Sequence, residues 1–476
     1  MLMSAAGLLT TTDDDLLRRF TESANTHDRV LVPTPAFHNW FAERRKTNSY
    51  QVTQVPFGKL SGWRFQPDTG NLVHDSGRFF TIEGLAVNTD HSEHAHWTQP
   101  IIRQPEIGIL GILVKEFNGV LHCLMQAKME PGNVNLTQLS PTLQATRSNY
   151  TRVHNGKPIP YLEYFTAPWR GRVLVDVLQS EQGAWFLHKR NRNMVIEVTD
   201  DIPLLDDFCW LTLAQIHELL HVDNLVNMDS RTVLSGIPYA APVDRPSMLD
   251  EDSFRGSLLR SLAEHRGALH ELPALLSWFT EVKTMHSLDQ QRIPLNQVTG
   301  WQATDKHISR DDGKYFTVIG VDVQASNREV AHWTQPMLAP VGQGLLAFLT
   351  KRIGGVLHVL VQARTQAGTF DVIEMGPTVH CTPENYEGAE PPPYLREVLE
   401  APPETIKHNV VHSEEGGRFH HAENRYMVVE VGDDFPVEVP PDFIWMTARQ
   451  ATNLVRYNNY FNVEARSLLT CLHTLW

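Results

Sequence analysis

The chain has 476 residues, 42% hydrophobic and 20% charged, with 41 basic against 55 acidic side chains and a formal net charge of −14. That length asks for two domains and the composition is that of a soluble globular protein. The acidic balance excludes general binding to nucleic acid or to an anionic membrane surface. No apolar run is long enough to span a bilayer. The four cysteines, Cys123, Cys209, Cys381 and Cys471, have no CxxC spacing and read as buried thiols in a reducing cytoplasm. The first fifteen residues lack the basic start of a signal peptide.

Residues 1–13 read as a loose tail. Asp14 or Asp15 caps a helix with Leu16, Leu17 and Phe20 on one face, and a second helix runs over 34–46 through Phe37, Trp40 and Phe41. From Gln51 the pattern becomes short alternating runs divided by Gly, Pro, Asn and Asp, which predicts antiparallel sheet. Strands over 108–116 and 120–128 form a hairpin turning at Asn118-Gly119. A turn-rich segment follows, then strands over 173–178 and 193–198 and a helix over 212–222. The Pro- and Gly-containing stretch 235–251 is a linker between a first domain, 14–234, and a second, 252–476. The second opens with helix over 252–285, interrupted at Pro273, and closes with helix over 447–457. The fold class is α+β, with a mixed or antiparallel sheet flanked by helices, formed twice.

The reason for "twice" is internal repetition. His96-Trp97-Thr98-Gln99-Pro100 recurs unchanged as His332-Trp333-Thr334-Gln335-Pro336. At the same offset the strand from Gly119 to Lys128 meets Gly355 to Arg364 and Asn149-Tyr150 meets Asn385-Tyr386, while Trp63 after Ser61-Gly62 matches Trp301 after Thr299-Gly300. After a short slip, Tyr161 meets Tyr394, His188 meets His421, and Arg192 meets Arg425. The chain is a tandem duplication.

Repetition also nominates chemistry. In an extended strand, residues two apart share a face, so His122, Gln126 and Lys128 form either a polar pocket lining or a solvent face, as do His358, Gln362 and Arg364. Trp97 with Gln99, and Trp333 with Gln335, suit stacking and hydrogen bonding to a base or sugar, unless the tryptophans are core. Arg147, Asn149, Tyr150 and Arg152 lie in the most basic stretch and are candidates for a pyrophosphate clamp, since guanidinium grips phosphate in two places. Arg418, beside Gly416-Gly417, belongs to a second polar run. Arg192 and Arg425 bind phosphate or pair with surface acids. His91, His94 and His96 look like metal ligands, but only His96 recurs and no HExxH or Cys/His spacing accompanies them, so no metal is expected. GxGxxG, P-loop and GxSxG patterns in strand–helix context are absent as well, so no cofactor is expected.

Taken together, HWTQP, GVLHCLMQAK, the stretch LSPTLQATRSNYTRVHNGKPIPYLEYF and SEEGGRFHHAENRYMVVEV resemble the NDP-hexose 2,3-dehydratases of deoxysugar biosynthesis. The resemblance runs from about Phe37 to Leu469. It implies a duplicated Nudix-like fold, here without the Nudix box, a homodimer, and a nucleotide-sugar pocket in each repeat with one of them active. It further implies loss of water across C2 and C3 of dTDP-4-keto-6-deoxy-D-glucose, with the diketo product passed to a 3-ketoreductase for antibiotic sugars. That chemistry needs a base for the C3 hydrogen, a donor for the enolate and an acid for the departing hydroxyl, but neither redox centre nor metal. Lys128 or His188 is the candidate base, and Tyr161 or Tyr394 the donor to the enolate or to O2. Trp63, Gln126, Trp301, Arg364, Asn385 and Tyr386 complete the expected substrate contacts. A non-catalytic nucleotide-sugar-binding protein and a divergent Nudix hydrolase are the rival readings.

Overall fold

The computed structural model of the protein describes residues 14–92, 94–146, 158–167, 170–238, 252–263, 267–326, 328 and 330–476. Each half builds one large and one small sheet around helices, in a mixed α+β arrangement. In the first half, Gly108–Phe117 and Val120–Met129 pair antiparallel through the expected hairpin. Asn118 and Gly119 turn at φ 51° and 78°, and Gly354 and Gly355 at 58° and 80°, as two-residue turns between twisted strands require. Phe208–Leu211 adds on one side of the hairpin, and Arg190–Glu197 followed by Arg172–Ser180 on the other, giving seven strands with two short additions. The pairing of Arg190–Glu197 with Gly108–Phe117 is parallel, so the sheet is mixed. The second half repeats this order with Ile406–Ser413, Glu423–Glu430, Gly344–Ile353, Val356–Arg364 and Phe443–Thr447.

The helix expected over 212–222 is Leu213–Leu219, and that over 447–457 is Ala448–Val455. Each begins with a reciprocal cap, Thr212 with Gln215 and Thr447 with Gln450. The reading of these as the closing helices is corrected: each half adds one more, Met228–Leu234 and Val463–Leu472. Every residue of both is buried, so neither has the polar stripe that marks a surface helix in sequence. Their arginines cross between halves. Arg231 Nη2 donates to the Ser413 carbonyl at 2.9 Å, and Arg466 Nη2 to the Ser180 carbonyl at 2.5 Å. Among the described residues no helix is long and apolar enough to cross a membrane.

The small sheets hold what the repeat pattern alone did not announce. Tyr50–Val55 of the first half pairs with Phe316–Ala325 of the second, and Leu288–Ile293 pairs with Thr81–Thr89 of the first. Each half therefore supplies an outer strand to the other's small sheet. Gly320 sits tightly against this exchange, since a Cβ there would lie 2.8 Å from the Val55 carbonyl oxygen. Gly320→Val is expected to cost about 1–3 kcal/mol through overpacking. The check is a lower urea midpoint at unchanged slope.

Candidate active site

The exchange brings the halves together around a cavity of about 490 Å³. Its lining comes from the large sheet of the first half (Lys128, Glu130, Gln144, Lys189, Asn191), the helix residue Asp229, the first small sheet (Trp63, His74, Phe80) and the second half (Arg328, Trp333, Gln335, Glu415, Arg418). At one end Trp63 packs against Phe80 and His74, with centroids 4.8 Å and 5.2 Å away, and its Nε1 donates to the Thr334 carbonyl at 3.0 Å. Arg418 lies over the Phe80 ring, 4.3 Å from its centroid, and donates from Nε to Gln104 Oε1 at 3.2 Å. The aromatic end thus passes directly into a cationic one.

The rest of the wall is ionisable. Lys128 and Glu130 stand two apart at the end of Val120–Met129 and both line the cavity. Lys128 Nζ donates to the Gln144 carbonyl at 3.0 Å, while the Gln144 side-chain amide donates to Glu130 Oε1 at 2.5 Å. Opposite them are Glu181, Asp229 and Glu415, all buried, each with one carboxyl oxygen that has no hydrogen-bond partner. Burial pushes the Asp229 carboxyl well above the usual carboxylate range, and the charges of Glu130, Glu181 and Glu415 add to this while Lys128 opposes it. Burial likewise pushes the Glu415 carboxyl up to about 8, and lowers the Lys189 ammonium to about 8. Proton donors and acceptors thus face the same space, with environments that drive their proton affinities apart.

The residues nominated from sequence divide sharply. Lys128, Trp63, Trp333, Gln335 and Arg418 line the cavity. The Tyr161 assignment is corrected: its hydroxyl donates to the Pro203 carbonyl at 2.6 Å and accepts from Leu205 N at 3.2 Å, with the ring in a core beside Phe208. Tyr394 packs likewise on Phe435 and Phe443. The His188 assignment is also corrected, because its Nε2 lies 2.7 Å from Gln290 Oε1 outside the cavity and its neighbour Lys189 takes the inward place. Gln126 and His122 do not line the cavity; His122 is buried with Nδ1 at 3.0 Å from the Val120 carbonyl. Arg192 pairs with the acid Asp176 at 2.5 Å, whereas Arg425 donates to the Asn409 amide oxygen at 3.0 Å; neither lines the cavity. Asn385 and Tyr386 sit in a turn, Pro383–Tyr386, away from the cavity. Arg147, Asn149, Tyr150 and Arg152 lie outside the described residues.

Trp97, Gln99, Trp301 and Arg364 occupy the mirror positions of the second cleft, related by the repeat to Trp333, Gln335, Trp63 and Lys128. Trp97 Nε1 donates to Gln99 Oε1 at 2.8 Å, whose amide donates to the Ala184 carbonyl at 2.9 Å; Trp333, Gln335 and the Gly417 carbonyl repeat this at 3.0 Å and 2.7 Å. The recurring motif is therefore a brace for the loop that enters the other half. Where the first cleft has Glu130, Lys189, Glu415 and Arg418, the second has Gln366, Ala422, Gln182 and Trp185. Trp185 packs on Phe419 at 4.5 Å, and Gln182 Nε2 donates to Glu414 at 2.8 Å. Among the described residues the second cleft keeps ionisable side chains at three matched positions, Arg364, Glu414 and Glu464, and loses the other four.

Glu130, Glu181, Asp229, Lys189 and Glu415 were missed from sequence. The signal that finds four of them is the difference between the repeats: Glu130 faces Gln366, Lys189 faces Ala422, Glu415 faces Gln182 and Asp229 faces Glu464. Glu181 is shared with the second copy as Glu414 and carries no such mark.

The family model described as NDP-hexose 2,3-dehydratase matches residues 34–237 and 272–472. A dTDP-4-dehydro-6-deoxy-alpha-D-glucopyranose 2,3-dehydratase of Saccharopolyspora spinosa is 53% identical, over 96% of this chain and 95% of its own. Proteins of the same name from Streptomyces violaceoruber and Amycolatopsis orientalis are 54% and 50% identical, over 94% and 96% of this chain and 98% and 94% of theirs. The matches span both repeats and so include every segment that walls the cavity; the chain belongs to the NDP-hexose 2,3-dehydratase family.

Proposed function

We propose that the protein removes water across C2 and C3 of dTDP-4-dehydro-6-deoxy-D-glucose, in the cleft that carries the full ionisable set. The observation that supports this assignment of the cleft is the meeting of buried carboxyl groups, some held protonated, with Lys128, Lys189 and Arg418 beside an aromatic end. In this reading the base stacks near Trp63 and Trp333, Arg418 and Lys189 hold the diphosphate, and the sugar reaches Glu130 and Asp229.

The C4 ketone acidifies the C3 hydrogen, and Glu130 takes that proton. The Lys128 ammonium faces the enolate oxygen, which makes it an electrostatic donor rather than the base expected from sequence. Asp229, protonated, gives its proton to the C2 hydroxyl, which leaves as water. The resulting C2–C3 enol gains a proton at C2 and becomes the 3-ketone, so the product is a 3,4-diketo-2,6-dideoxy sugar nucleotide. We infer further that repeats 14–234 and 252–476 are Nudix-like units, that the enzyme is a cytoplasmic homodimer serving antibiotic deoxysugar synthesis, and that a 3-ketoreductase consumes its labile product. The four free, buried cysteines support the reducing compartment.

Incubation with the ketosugar nucleotide tests the reading. Loss of one water with the nucleoside diphosphate intact is expected; release of a nucleoside monophosphate would support a hydrolase, and recovery of unchanged substrate a binding protein. The pH profile has a defined sign. Glu415 and Lys189 both lose a proton as pH rises through about 8, leaving the cleft two charges more negative. Binding of an anionic diphosphate weakens accordingly, so kcat/KM is expected to fall above that pH.

A further inference from the structure

Outside the cavity lining, the second half holds a cluster with no role in this chemistry. His408 and His412 lie on strand Ile406–Ser413, and Cys471 lies on helix Val463–Leu472. All three are buried, and one ligand atom from each lies within 4.8 Å of the other two. His408 is 3% exposed, yet neither of its ring nitrogens has a hydrogen-bond partner. Buried polar atoms are nearly always bonded, so an imidazole sealed off with both nitrogens idle needs an explanation. The Cys471 thiol stands 3.8 Å from His412 Nε2. Zinc–sulfur and zinc–nitrogen bonds of about 2.3 and 2.0 Å at a tetrahedral angle put S and N about 3.6 Å apart. The pair is already spaced as ligands of one ion.

We propose that His408, His412 and Cys471 bind a transition-metal ion of the zinc class, as a structural site tying the last helix to the large sheet of the second half. Two neutral imidazoles and a thiolate are the donor set that suits such an ion. The His221 ring, with its centroid 5.2 Å from that of His408, reaches the surface and gives the ion a way in. Arg231, nearby, favours the thiolate while opposing the cation. A second cluster, His91, His286 and Asp442, carries less weight, because His91 is accounted for by Thr365 at 2.9 Å and Asp442 at 3.4 Å.

The test is a Co²⁺ titration of the full-length chain after chelator treatment. One equivalent should bind and give the near-ultraviolet thiolate-to-cobalt absorption, which added Zn²⁺ abolishes. Cys471→Ala should remove that absorption, His408→Gln should weaken Zn²⁺ binding at least ~10-fold, and His286→Ala should change neither. Absence of the thiolate absorption in the unaltered chain overturns the proposal, and so does its persistence in Cys471→Ala. Should Cys471→Ala fail to fold, His408→Gln decides: undiminished Zn²⁺ affinity overturns the site.

Discussion

Glu130→Gln is expected to abolish both water loss and the exchange of the C3 hydrogen with solvent deuterium, by about 10²–10⁴-fold. The two must fall together because proton removal comes first, and an amide cannot accept the proton. The substitution is nearly isosteric, and the remaining side-chain oxygen keeps the closer of the two donors, the Gln144 amide at 2.5 Å, while only the long 3.5 Å contact from the Asn227 amide is lost. A thermal midpoint close to that of the parent should therefore accompany the loss. The measurement is an NMR time course of the ketosugar nucleotide in D₂O. Undiminished C3 exchange in this variant removes Glu130 from the role.

Asp229→Asn is expected to separate the same two steps. Dehydration should fall by about 10²–10⁴-fold, while C3 exchange continues, because the enolate still forms but the hydroxyl no longer receives a proton as it leaves. The position supports that outcome. Asp229 is 3% exposed, its Oδ1 has no hydrogen-bond partner, and burial raises its proton affinity well above that of an ordinary carboxyl. An amide there still donates a hydrogen bond but cannot deliver a proton. If exchange and dehydration instead fall equally, Asp229 acts at or before enolate formation and the order of events drawn above is wrong.

These variants fall on residues that repetition hid. Searching for what the two copies share selects what both must keep to fold. Trp97 with Gln99, and Trp333 with Gln335, are of that kind: each pair is a hydrogen-bonded brace holding a loop carbonyl. Tyr161 and Tyr394 are too, each seated in a core at φ 59° and 64°. Chemistry confined to one copy leaves the opposite mark, a charge facing a neutral or altered partner, as Glu130 faces Gln366 and Lys189 faces Ala422.

The repeated segments were enough to read the duplication, and local physics to read the α+β class, the Asn118-Gly119 hairpin and the helices begun at 212 and 447, because turn geometry and strand alternation act between residues close in the chain. Lys128 was legible for the same reason, as a cation on the inward side of an apolar strand. Which half's residues meet at the cleft was decided elsewhere. The reciprocal pairing of Tyr50–Val55 and Leu288–Ile293 carries the Glu415–Arg418 loop of one repeat against the large sheet of the other, and contacts across more than two hundred residues leave no periodic trace. The proton affinities of Asp229 and Glu415 belong to the same level, since burial and neighbouring charge set them and neither exists until the halves have closed.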